Sequence, residues 1–382
     1  MKCAVGLLRV VYAPIKLFPR RQKILLISSQ GDEPSRDILM LAGELKNLSE
    51  GTEVKVISGR MRRSILGAFS FSIHILKELY HISTSQKVIL EGYCVSISAV
   101  QHKKGLRVLQ MWHAPDAIKK FSRQILDKSA GQSSEVANIM GMHRNYDEVL
   151  CPAPAVAPFF CEAFGVGEDK LVYLGIPRID YISEISRSRD GGSGTEPIGV
   201  KARIVDKYPA VSERPTVLYA PTFRGSRPVD VQSLLRFIDF EKVNLVLKLH
   251  PLDDSAVGFT VPKLHESRFI RDNEFSSDEW FSVADAIITD YSGIAIEAAV
   301  ARIPTYFYIY DIEQYICEGG LNIDPRQEAI APYVFEDGAK LAEALDPQAY
   351  DLDLLKAFRE KYLSCPDTGN TERLAHYIIT NL

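Results

Sequence analysis

Two α/β domains, each on an open parallel sheet, are what this sequence predicts, and three observations carry the prediction. The chain has 382 residues, more than one ordinary core holds and comfortable for two. From Arg20 onward, short β-branched apolar runs alternate with longer segments of helical period, the pattern of parallel-sheet proteins. Between Ser186 and Gly199 that alternation breaks into SRSRDGGSGTEPIG, polar, glycine-rich and without apolar period, which marks a linker or mobile loop. The expected organisation is a basic amphipathic segment 1–22, a first α/β domain 23–185, a linker 186–200, a second α/β domain 201–350 and C-terminal helices 351–382.

The elements follow in order. Lys23 to Ser28 (KILLIS) reads as the first strand. A helix then fits Pro34 to Leu48, where Ile38, Leu41, Ala42, Leu45 and Leu48 share one face and Ser35 is placed to cap it. Strands at 53–58, 87–91, 106–112 and 148–151 complete a first open sheet. In the second half, strands fit 216–220, 244–249, 286–289 and 305–309, with helices near 278–284 and 293–301. Amphipathic helices at 352–363 and 371–380 close the chain. Two Rossmann-like halves of similar size joined by a linker are the outline of a GT-B-like architecture, with a cleft between the domains.

Composition removes several classes. With 46% hydrophobic and 25% charged residues and no run of 18 uncharged apolar residues, the chain reads as globular and not integral to a membrane. The formal charge of -4 argues against nucleic acid as partner. Six cysteines are scattered without a C-x-x-C pair, so neither a zinc site nor a disulfide framework is indicated. Residues 3–18 resemble a signal sequence only superficially: Arg9, Pro14 and Lys16 interrupt the apolar run, and the segment is expected to be retained. No GxGxxG follows the first strand and no GxxxxGK[ST] occurs, which disfavours nucleotide binding through those loops.

Four segments concentrate polar groups just after buried runs, where open α/β sheets form ligand crevices. QMWHAPDAIKK (110–120) puts His113 beyond a strand, as a general base or as an imidazole bonded to a backbone carbonyl, with Lys119 and Lys120 following. LYAPTFR (218–224) ends on Arg224, a phosphate clamp or a salt-bridge residue, with Thr222 beside it. LVLKLHP (245–251) directs Lys248 and His250 to one face at a strand end. ADAIITDYSGIAIEAAVA (284–301) stops a strand at Asp290-Tyr291-Ser292-Gly293 and starts a helix there, either a phosphate-binding turn or a capped helix, with Glu297 one turn further on to reach ribose hydroxyls or solvent.

Taken together in this order, the four segments resemble the CDP-glycerol glycerophosphotransferase family of teichoic acid primases and polymerases. Tyr146-Asp147, Leu174-Gly175-Ile176-Pro177-Arg178-Ile179-Asp180 and Tyr310-Asp311-x-x-x-Tyr315 are further family landmarks, so the resemblance spans roughly residues 100 to 330. It implies attack by an acceptor hydroxyl on the β-phosphate of CDP-glycerol or another CDP-polyol, with release of CMP. By that likeness His113, Arg224 and His250 are the catalytic candidates, His113 as base toward the acceptor. Thr222, Arg224, Lys248, His250, Asp290, Ser292, Gly293 and Glu297 would surround the donor. The chain departs from the family pattern at Ala114, where glycine is usual, and at Gly293 and Glu297, where a second serine and an aspartate are common. The first departure puts acceptor identity in question.

The resemblance also implies a lipid-linked glycan or polyol-phosphate acceptor and a peripheral place on the cytoplasmic face of the plasma membrane. Two stretches offer contact with an anionic membrane surface: residues 1–23, where Leu7, Leu8, Val10, Val11, Leu17 and Phe18 mix with Lys2, Arg9, Lys16, Arg20, Arg21 and Lys23, and residues 60–80. Either can instead be a core helix with a solvated basic end. No carboxylate cluster is typed for a divalent metal, and neither metal nor cofactor is expected. A nucleotide-sugar glycosyltransferase and a non-catalytic assembly subunit are the competing functions.

Overall fold

The computed structural model describes residues 2–29, 31–59, 65–189, 199–225, 227–249 and 261–382, with the backbone alone for 65–70. It divides into two compact units, one of Met1–Pro115, Phe121–Asp180 and Ser364–Leu382, the other of Asp116–Lys120 and Tyr181–Leu363.

In unit 1 the strands β1 (Lys23–Ser28), β2 (Glu53–Ser58), β3 (Lys87–Leu90), β4 (Arg107–Gln110), β5 (Glu148–Leu150) and β6 (Leu171–Val172) form one sheet in the order β2-β1-β3-β4-β5-β6. In unit 2 the strands β7 (Thr216–Tyr219), β8 (Asn244–Leu247), β9 (Phe269–Arg271), β10 (Ala286–Thr289), β11 (Thr305–Tyr308) and β12 (Val334–Phe335) run in the order β12-β11-β10-β7-β8-β9. Every pairing is parallel. Strands covered on both faces must be apolar throughout, and β1, β7, β8, β10 and β11 are buried at every position. Each sheet reverses its winding once, between β1 and β3 and between β7 and β10. There the loops leaving the carboxyl ends diverge and open a crevice.

All the sequence-predicted strands are present within a residue or two, and Ser35 caps the helix Arg36–Leu48 by accepting from the Ile38 amide at 3.3 Å. Three strands escaped the sequence reading: β6, β9 and β12 are two or three residues long and carry no pattern of their own.

The domain boundaries differ from the predicted ones. The chain passes into unit 2 at Tyr181, inside the continuous helix Pro177–Arg189, because the end of that helix is fastened to unit 2. There Ser186 Oγ donates to the Ala301 carbonyl at 3.1 Å and Arg189 Nη1 to that of Ala284 at 3.1 Å. The predicted linker therefore begins as helix, and its residues 190–198 lie outside the described residues. The C-terminal helices separate: Leu352–Tyr362 packs on Ile294–Val300 in unit 2, and Asn370–Thr380 returns to Arg36–Leu48 in unit 1. Asp180 anchors that return, accepting from Asn370 N and Nδ2 at 2.9 Å and from Thr371 N and Oγ1 at 2.8 and 2.7 Å.

Gly175 faces the same junction. A Cβ on it would meet Asn370 Oδ1 at 1.9 Å, and Asn370 is wholly buried with its amide committed to Asp180 and the Pro366 carbonyl. Gly175→Ala is expected to cost about 1–3 kcal/mol through overpacking, read as a lowered urea midpoint at unchanged slope. An unchanged midpoint would mean the C-terminal helix moves aside freely.

The N-terminal segment is a helix, Lys2–Ile15, and one of its faces belongs to the unit 1 core. Tyr12 packs with Ile75, Leu79 and Val100, Leu8 and Ile15 lie alongside, and Tyr12 Oη bonds His102 Nδ1 at 3.0 Å. Its other side leaves Leu7 and Val10 65% and 70% exposed. Among the described residues no helix is long and apolar enough to cross a membrane.

Candidate functional site

In unit 1 the crevice opens at the ends of β1, β3 and β4. Glu91, the residue after β3, is fully buried and accepts from Ser28 Oγ, at the end of β1, at 2.5 Å. Burial pushes its carboxyl up, against the hydrogen bonds from Ser28 and Ser35. The Glu91 backbone carbonyl lies 3.3 Å from His113 Nδ1. A carbonyl oxygen only accepts, so the Nδ1 proton is fixed there and Nε2 carries the basic lone pair. The half-buried imidazole is thus bonded to a backbone carbonyl, one of the two readings the sequence left open. Trp112, immediately before it, adopts φ of 64°, a left-handed conformation costly for a large side chain. Its amide donates to Gln110 Oε1 at 3.0 Å, and its ring stacks on Phe121 at 5.3 Å and meets Phe164 edge-on at 5.2 Å. This left-handed residue directly precedes His113.

Unit 2 holds most of the expected donor residues at its own crevice, between β7 and β10. Asp290 is the hub. Its carboxylate accepts from Thr222 N at 3.0 and 2.9 Å, from Thr222 Oγ1 at 2.6 Å, from Arg224 Nη2 at 2.7 Å and from its neighbour Tyr291 N at 2.5 Å. Arg224 continues the network, with Nε donating to Asp311 Oδ2 at 2.8 Å, Nη2 to Asp311 Oδ1 at 3.2 Å and Nη1 to the Thr222 carbonyl at 2.6 Å. Tyr291 Oη donates to Asp311 at 3.1 Å, and the rings of Tyr291 and Tyr315, stacked at 4.0 Å, each lie 5.1 Å from the guanidinium carbon. Burial alone would raise the Asp311 carboxyl, but the Arg224 guanidinium bonded to it overrides that and holds it below the usual range. The same two carboxylates hold Arg224 charged despite its burial.

This geometry reassigns several expected roles. The Arg224 side chain is 0% exposed with its N–H groups turned inward, so it braces the turn from beneath and does not present a phosphate clamp. Lys248 is likewise committed, donating to the Asp272 and Phe275 carbonyls at 2.8 and 2.6 Å and to Asp272 Oδ2 at 3.3 Å. Glu297 is buried in its helix at 9% exposure and does not face solvent. Ser292 and Gly293 are the partly exposed members of the turn, with the Ser292 hydroxyl within 3.5 Å of the Ile294 amide. A Cβ on Gly293 would meet Asp116 Oδ2 at 1.9 Å, which explains why serine is absent here: Asp116 occupies that space and holds its own turn through the Ile118 amide at 3.0 Å. His250 lies outside the described residues.

The sequence landmarks acquire physical meaning here. Asp311 and Tyr315 are the partners of Arg224; Arg178 pairs with buried Asp37 at 2.8 Å; Asp147 accepts from the Val108 amide at 2.8 Å. Glu91, Ser28 and Asp37 were missed, since single polar residues at strand and helix ends carry no spacing signal. Among the described residues no group of three His, Cys, Asp or Glu is placed to hold a metal ion.

With this geometry in view, comparison with known proteins is decisive. The sequence profile of the CDP-glycerol:poly(glycerophosphate) glycerophosphotransferase family matches residues 11–380. The chain belongs to that family. It is 28% identical over 370 residues to the teichoic acid ribitol-phosphate primase of Bacillus spizizenii, covering 94% of this chain and 91% of that protein. It is 26% identical to the teichoic acid ribitol-phosphate polymerase TarK of Staphylococcus aureus, covering 77% of this chain but only 56% of the polymerase. The fold is that of the wall teichoic acid polymerase TagF, with a TM-score of 0.73 over 99% of this chain and 94% of that one at 16% identity. The chain is thus a polyol-phosphate transferase with a GT-B-like fold.

Proposed function

We propose that the chain transfers a polyol phosphate from a CDP-polyol to a hydroxyl of a lipid-linked acceptor, releasing CMP, with His113 as general base and the Ser292-Gly293 turn against the donor pyrophosphate. The observation that carries the base assignment is the Nδ1 bond to the Glu91 carbonyl, which leaves Nε2 basic. Phosphoryl transfer asks a protein mainly for positioning and charge stabilisation, and the Arg224–Asp290–Asp311 network supplies a rigid floor under the exposed turn. Arg224 is therefore a positioning residue, and the hydroxyl and amides of the turn are the donor contacts.

Ribitol is the polyol favoured by the primase relative, which matches along nearly its whole length; glycerol is the runner-up. CMP release measured in parallel with CDP-ribitol, CDP-glycerol and UDP-sugars decides among them. Nucleoside diphosphate release from a sugar nucleotide, with no CMP from either CDP-polyol, would replace this reading by a glycosyltransferase. Ser292→Ala is expected to raise the donor KM about tenfold, the worth of one hydrogen bond to a charged group, with little change in kcat.

The acceptor is reached at the membrane surface. Leu7, Val10, Leu17 and Phe18 are 65%, 70%, 84% and 49% exposed on the N-terminal segment, accompanied by Lys2, Arg20 and Arg21. Exposed apolar side chains among cations suit an anionic bilayer. Leu17→Glu with Phe18→Glu should abolish cosedimentation with anionic vesicles while leaving turnover of a soluble acceptor intact; unchanged cosedimentation would place membrane contact elsewhere.

A further inference from the structure

Unit 1 carries two grooves lined by none of the residues assigned above to the transfer reaction. One, of about 390 Å³, is lined by Arg123, His143, Arg144 and Lys170 among others; the second, of about 420 Å³, is lined by Arg9, Lys16 and again Arg144. They share Arg144 and Asn145 and so run together, and among the described residues no Asp or Glu lines either one.

Four of the five cations are held in place without being neutralised. Arg9 Nε donates to the Ala99 carbonyl at 3.1 Å, Lys16 Nζ to that of Gln101 at 2.8 Å, Arg123 Nη1 to that of Met142 at 3.4 Å and Lys170 Nζ to that of Tyr146 at 2.6 Å. Each partner is a neutral oxygen, and among the described residues none of the five cations is paired with a carboxylate. Elsewhere in the molecule arginines do pair with acids, as at Arg107 with Asp147 and Glu148 or Arg326 with Asp324. The uncompensated field is felt by the imidazoles beneath it. Burial and then Arg123 push His143 down to about 3, and burial lowers His102, with Lys16 acting in the same direction. Cations anchored by carbonyls have already lost much of their side-chain freedom, so an anion entering the groove gains their attraction at reduced ordering cost.

We infer that this joined groove binds an extended, phosphate-bearing polyol chain, with cations at intervals from Lys170 and Arg123 through Arg144 to Arg9 and Lys16 meeting successive phosphodiesters. The shape argues for a chain over a single anion, because two grooves meeting at one arginine offer more than one phosphate position. In this protein's chemistry such a ligand is the polyol-phosphate acceptor or product, so the inference rests on the transferase reading for the identity of the chain, though not for the existence of an anion groove. It makes chain length, beyond the terminal hydroxyl, a determinant of acceptor affinity.

Fluorescence anisotropy with labelled glycerol-phosphate oligomers of increasing length, on the full chain, tests it. Affinity should rise with length, fall with salt, and weaken about tenfold for the longest oligomer in Arg144→Glu, with binding of the single unit and the KM for the CDP-polyol unchanged. Arg123→Gln, at the other groove, should weaken long oligomers similarly, which guards against a local effect of one substitution. Length-independent affinity, or full-strength binding in both variants, overturns the groove. If Arg144→Glu instead weakens only binding to anionic vesicles, the cations serve the membrane and the proposal also fails. Length-dependent binding without any CMP release would leave the groove standing and remove the transferase reading; CMP release with length-independent binding would do the reverse.

Discussion

Arg224→Ala is expected to remove about 3–5 kcal/mol of stability, the cost of stranding buried charges whose partner is gone. Asp290 and Asp311 are 1% and 5% exposed at their side chains, and Arg224 is the cation bonded to both, with Arg227 a second partner for Asp311 alone at 3.0 Å. Arg224→Lys should recover little, since an ammonium cannot span Asp290, Asp311 and the Thr222 carbonyl from one plane. The effect has a pH signature. In the wild type the Asp311 carboxyl is depressed, so its contribution is present above the ordinary carboxylate pKa of about 4 and is lost as pH falls through the folded value. Without Arg224 the carboxyl keeps Arg227, at 3.0 Å, and the Tyr291 hydroxyl, at 3.1 Å, but loses its strongest charged partner, so it is less depressed and the variant loses less as pH falls. The stability gap between the two proteins is therefore widest near neutrality and narrows toward acid. Urea titrations across that range check this; a gap independent of pH would mean the network is not what Arg224 stabilises.

His113→Ala should lower kcat by about 10²–10⁴-fold, the range for removing a general base, while donor binding and the unfolding midpoint stay near wild type. The imidazole is half-buried and its Nδ1 bond is to a backbone carbonyl. His113→Asn retains a donor for the Glu91 carbonyl without a base and should be as inactive as alanine. If asparagine preserved turnover, the ring would serve to position its neighbours, and Trp112 with φ of 64° would be the residue whose conformation matters.

Much of this was legible in the sequence. Apolar β-branched runs such as KILLIS specify strands because no face of a central parallel strand meets water, and Ser35 before an amphipathic run specified a helix start. The segments around His113, Arg224 and Asp290 were found for the same reason: polar groups directly after a buried run lie where a parallel sheet opens. What the sequence could not give was direction. Arg224 and Lys248 have the residue type of phosphate ligands, yet both turn inward, because Asp311 and Asp272 approach from distant parts of the chain. The domain boundary was hidden by a continuous helix, and Asn370–Thr380 returns to the first unit through Asp180, a contact spanning 190 residues. Asp37 and Glu91 carry their significance only once the strand ends are brought together.

The central claim is that this chain forms a phosphodiester with the help of His113. Following ³¹P resonances with CDP-ribitol and a polyol-phosphate acceptor tests it most directly. The wild type should convert the pyrophosphate signals to CMP and a new phosphodiester in equal amounts, and folded His113→Ala should do neither. Equal conversion by the variant, or pyrophosphate left intact by the wild type with both CDP-polyols, would contradict it.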